Sequence, residues 1–80
     1  MTPEDLDLVK SFARDSLQDE IAGVLDDPSS LIGHAREYFA SRRQLARILG
    51  MDFDMIVADS AGSAFEVARL RDFEAKVNNG

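Results

Sequence analysis

Two helix-start signals stand 25 residues apart, and the stretch between them has one apolar period. Thr2-Pro3-Glu4-Asp5 offers a threonine N-cap, a proline at the first helical position and two acids in the first turn. Asp27-Pro28 repeats the device. Proline is tolerated there because the N–H at that position has no intrahelical partner. Between the signals, Leu6, Val9, Ala13, Leu17, Ile21 and Val24 or Leu25 recur by three and four, with Leu8 and Phe12 widening one flank. This spacing predicts a helix over residues 3–25 with one buried stripe.

A second helix is expected over residues 28–49, on the stripe Leu31, Ala35, Tyr38 or Phe39, Arg42, Leu45 and Leu49. Gly33 is a weak point inside it, and Gly50 is its stop. Beyond Gly50, Asp52 or Asp54 can cap a short helix, Gly62 can end it, and Ser63-Ala64-Phe65-Glu66 has the form of a capping box. Residues 54–77 therefore read as helical, either as one bent helix or as two short ones. The break is preferred because stop and start signals coincide. The last residues, Asn78, Asn79 and Gly80, are expected to fray. The fold class is all-α: an antiparallel helical hairpin plus a bent or broken third helix, a small three- to four-helix bundle. At 80 residues it makes one domain, 1–80.

Composition narrows the chemistry. Cysteine is absent and histidine occurs once, so disulfides, thiolate nucleophiles and the usual zinc patterns are out. No apolar run approaches the roughly 20 residues of a membrane helix, and no signal peptide is visible, so the expected location is the cytoplasm. Nothing in the residue pattern asks for a cofactor or a metal. Asp52, Asp54 and Asp59 suggest a calcium loop only until Ile56 and Val57 occupy the positions where an acid and a glycine belong. His34 has no serine and acid at linked spacing, so no catalytic constellation emerges. Asp59-Ser60 resembles the Asp-Ser pair of acyl carrier proteins. The resemblance stops there, because Ala61-Gly62 follows instead of a long helix.

The net charge is -6, unevenly placed. Residues 1–30 hold eight acids and two bases, residues 31–50 four arginines and one acid, and residues 51–80 six acids and three bases. Consecutive helices in this acidic, basic, acidic order can neutralise one another. Arg36, Arg43 and Arg47 share one helix face. In a hairpin turning at Asp26 and Asp27, Asp19 would lie level with Arg36 and Asp7 with Arg47. Arg43 would have no acid directly opposite, which makes it the best candidate for an outside contact. Arg42 interrupts the apolar stripe, so its stem snorkels out or it marks an interface.

Arg42-x-Gln44-Leu45-Ala46-x-Ile48-Leu49-Gly50-Met51 resembles the first helix and turn of a helix-turn-helix unit, extending over residues 42–61. That resemblance implies a DNA-associated regulator. The would-be recognition helix, however, carries Asp52, Asp54 and Asp59 and no Lys or Arg, so nucleic acid is not the expected partner.

The preferred reading is a small protein-interaction module, not an enzyme. It would serve as an accessory, regulatory or inhibitory adaptor, and seven arginines against two lysines suit a bacterial or phage source. Leu8, Phe12, Phe39, Ile48, Met51, Phe53 and Met55 exceed what a three-helix packing hides. The candidate partner-binding residues are Arg36, Arg42, Arg43, Arg47, Met51, Phe53 and Met55. The surplus also makes homo-oligomerisation an expectation.

Overall fold

A computed structural model describes residues 2–79. These form four α-helices and no strand: α1 (Pro3–Asp26), α2 (Ala35–Ile48), α3 (Phe53–Ser60) and α4 (Ala64–Asn79). One 3-10 turn, Pro28–Leu31, joins α1 to the second half of the chain.

Capping chemistry sets most of these boundaries. Thr2 Oγ1 accepts from the Asp5 N–H at 3.1 Å, and the Asp5 carboxylate accepts from the Thr2 N–H, which completes a capping box. At the end of α2, Gly50 takes a φ of +73°, its N–H donates to the Arg47 carbonyl, and the Met51 N–H donates to the Ala46 carbonyl at 2.8 Å. Those two bonds are the Schellman pattern, and a side chain at position 50 would strain it. Asp52 caps α3 by accepting from the Asp54 N–H at 2.9 Å. The third segment is broken, as the coincident signals predict. Ser63 Oγ accepts from the Glu66 N–H, and the Glu66 carboxylate reaches back to the Gly62 N–H. The helix then runs through Asn79, so Asn78 and Asn79 of the expected frayed end are helical here, and Gly80 lies outside the described residues.

The expected second helix over 28–49 needs correction. Asp27 and Pro28 cap only one 3-10 turn, with the Asp27 carboxylate accepting from the Ser29 N–H and from its hydroxyl. Ile32 leaves helical geometry, and Gly33 takes a φ of +94°, where a helix cannot pass. The α2 helix therefore starts at Ala35, and Leu31 is tucked into the core from the turn.

The core joins Leu17, Ile21, Val24 and Leu25 of α1 to Phe39 and Ala46 of α2, Phe53, Ile56 and Val57 of α3, and Leu70 of α4. Phe39 meets Tyr38 edge-on at 5.5 Å and Phe73 at 6.1 Å between ring centroids. Among the described residues, no charged side chain is buried. The α1 helix packs most closely on α3, and α2 on α4. The α1 and α2 helices are antiparallel: Gly23 and Val24 share a groove with Leu31, His34 and Tyr38, whereas Ala13 and Ser16 share one with Leu45.

Candidate functional site

Two of the four arginines of α2, Arg42 and Arg43, reach acids on the three other helices. Arg42 makes a two-pronged pair with Glu20 of α1, at 2.7 and 3.0 Å, and its guanidinium stacks 4.9 Å over the Tyr38 ring. Arg43 donates to both carboxylate oxygens of Glu74 in α4 at 2.7 Å and to Asp54 of α3 at 3.0 Å. It also lies 4.8 Å over the Phe53 ring. Planar guanidinium groups suit such fork pairing and ring stacking together.

Electrostatics follow from this geometry. The hydrogen bonds from Arg42 hold the Glu20 carboxyl below the usual carboxylate range. The same bonds raise the pKa of Arg42, and those that Arg43 donates to Glu74 raise its own. Burial pushes the Tyr38 hydroxyl upward, and the charge of Glu20 adds to it. That hydroxyl has no hydrogen-bond partner among the described residues.

The expected pairings of Asp19 with Arg36 and of Asp7 with Arg47 do not form. Arg36 donates instead to the Val77 carbonyl at 3.0 Å, and Arg47 to Gln44 at 3.2 Å. Starting α2 seven residues late slides the hairpin register, so that Glu20 meets Arg42. Arg43, expected to face outward, is instead the most fully engaged arginine of α2. Neutralisation between helices is present, with different partners.

Of the seven candidate residues, Arg43, Arg47, Met51 and Phe53 line one shallow groove with Asp52 at the α2–α3 turn. Phe53 is itself a core residue, only 4% exposed, which removes it as a contact residue. Met51 packs against the core, and Met55 is open to solvent. Arg36 and Arg42 lie apart from that groove, each bonded within the fold. Ser30, His34 and Glu37 line a second groove, between α1 and α2, with no hydrogen bond from serine to histidine among the described residues. Also among the described residues, no cluster of three or more His, Cys, Asp or Glu is placed to hold a metal. No helix of the described residues is long and apolar enough to cross a membrane.

The α2 helix, the turn at Gly50 and α3 follow in the order that the sequence resemblance would need. Ile56 and Val57 of α3 are buried with Phe53, and Asp59 is exposed. The outward face of α3 therefore carries acid and no base, the wrong sign for phosphate contacts.

The largest apolar exposure lies elsewhere, in the first half of α1. No residue of the segment 2–16 belongs to the core. Leu8 is 70% exposed and Phe12 74%, with Leu6 and Val9 about half exposed. Leu45 of α2 adjoins this edge, and Ile48 one turn on is also exposed. Phe12, Ala13, Ser16 and Leu45 together line a small groove. The sequence pattern flagged Leu8, Phe12 and Ile48, but it assigned Leu6 and Val9 to the buried stripe. Comparisons with family models, with curated proteins and with solved structures find no match to the chain.

Proposed function

We propose that this chain is a protein-interaction module, an adaptor of accessory, regulatory or inhibitory kind, whose docking element is the first half of α1. One observation carries the reading: a helical arm of about 14 residues, on the order of 20 Å long, presents large apolar side chains that the fold leaves open. Contiguous apolar surface of this kind is a usual mark of protein contacts. An amphipathic helix is also a common element for docking into a partner's groove. The arginines of α2 serve the fold in this reading, because their partners lie within the chain.

The test is the size of the native species. In extract from cells that make the protein, gel filtration should show it in a complex well above 8.8 kDa. The Leu8→Ser/Phe12→Ser double variant should elute as the free chain with an unchanged melting curve. A wild-type chain eluting free at its native level would overturn the reading.

A further inference from the structure

The outward side of the α1 arm is apolar and acidic at once, and this sign selects its partner. On a helix, the surface neighbours of a residue are three, four and seven positions away. For Leu8 and Phe12 these positions include Glu4, Asp5, Asp15 and Asp19, and no base. The two bases of the arm, Lys10 and Arg14, neighbour each other and lie on the other side, in line with the buried Leu17 and Ile21. Glu4 and Asp19 form no ion pair among the described residues. Asp15 has only a loose one, 3.8 Å from the Arg14 guanidinium and well exposed to solvent.

Resting on the function proposed above, we infer that the arm docks into an apolar groove of a different protein, rimmed by Lys and Arg. The apolar pair Leu8 and Phe12 fills the groove, and the four acids meet its basic rim. Charge complementarity of this sort sets partner choice and steers association. A second copy of this chain is the wrong occupant. A two-fold pairing of two arms through this face sets the acids of one arm against those of the other, each against its counterpart in a parallel pair and Glu4 and Asp5 towards Asp15 and Asp19 in an antiparallel one. An anionic membrane surface is repelled by the same four charges.

The experiment places a photo-crosslinking amino acid at Ser11, between the acidic and apolar positions, in the full chain in the cells that make it. A control carries it at the exposed Asp59 of α3. The expected product is an adduct at Ser11, absent at Asp59, with one other protein, joined at a segment where Lys or Arg flanks apolar residues. Reversing Asp15 and Asp19 to lysine should cut its yield at least tenfold. Reversing Lys10 and Arg14 to glutamate should leave it within twofold. Both double variants should keep the parent melting curve, since none of the four residues is in the core. An adduct with a second copy, or one insensitive to reversal of Asp15 and Asp19, overturns the inference and leaves the arm a docking element. No protein adduct at Ser11 overturns both.

Discussion

The two halves of α1 share one helix, one period and one capping system, yet their side chains have opposite fates. Leu17, Ile21, Val24 and Leu25 are each 5% exposed or less, whereas Leu6, Leu8, Val9 and Phe12 are 45% exposed or more. Periodicity states which residues share a face. It does not state whether another element exists to cover that face. The α2 helix starts late and ends at Ile48, so its last turns reach only to about Phe12 and Ala13 of its antiparallel neighbour. Beyond that point Leu6 has no core to join, whereas Leu8 and Phe12 project from the side of α1 opposite Leu17 and Ile21 and are open for that reason.

The sharpest way to break this comparison is to truncate both halves alike. Ile21→Ala and Leu17→Ala should each cost about 2–5 kcal/mol, since each removes well-packed buried atoms and leaves a cavity. Phe12→Ala and Leu8→Ala should stay within about 0.5 kcal/mol of the parent, the usual range for surface positions. Urea unfolding of the four variants measures both sets. Comparable losses in the two halves would mean that the arm is part of the core.

The second test asks whether the arginines belong to the fold. Arg43→Met leaves Glu74, whose side chain is only 13% exposed, without its cation. It should cost about 1 kcal/mol, at the upper end for ion pairs that keep some contact with water. Arg47→Met, losing only a bond to Gln44, should change stability by no more than a few tenths of a kcal/mol. Equal effects at the two positions would return Arg43 to the status of an exposed docking residue.

The chain's local signals were legible where neighbouring residues decide them. Thr2, Gly50, Asp52 and the Gly62–Glu66 stretch each settle their boundary through hydrogen bonds to residues within five positions. Asp27 and Pro28 satisfy a single 3-10 turn as well as an α-helix, so they do not by themselves fix where α2 starts. Gly33, read as a mild weakness, adopts a left-handed conformation that ends the turn. Every pairing expected between α1 and α2 inherits that shift. The acids that hold Arg43 lie 11 and 31 positions away, on helices whose placement no hairpin arithmetic includes. The exposed apolar surface is half legible: Leu8, Phe12 and Ile48 stand out as surplus and are open to solvent. Phe39 and Phe53 were visible in the same way and are core.

A smaller effect bears on the seam between α1 and α2. The Glu20 pKa is depressed in the folded state by Arg42. The pair's contribution is therefore fully present above the unfolded value, near 4.5, and is lost as pH falls through the lower folded value. Both partners are over a third exposed or nearly so, which limits the contribution to a few tenths of a kcal/mol. The stability difference between the parent and Glu20→Gln should stay flat from about pH 8 to 5 and shrink below that. A difference that grows on acidification would contradict the assigned pair.

The smallest global effect, and the finest probe of the two halves, comes from the cap at Thr2. Thr2→Ala removes the acceptor for the Asp5 N–H and breaks the capping box. Loss of an N-cap weakens helix formation locally by about 0.5–2 kcal/mol. In a helix packed along its whole length, that loss would appear in the unfolding free energy. Here the segment it supports makes no core contact, so the arm can fray while residues 17–25 remain docked. Global stability by urea should change by less than about 0.5 kcal/mol. Amide hydrogen exchange over residues 6–12 should accelerate several-fold, with the amides of residues 21–25 unaffected. Uniform acceleration along α1 would show that its two halves open as one unit and that the arm is structurally coupled to the core.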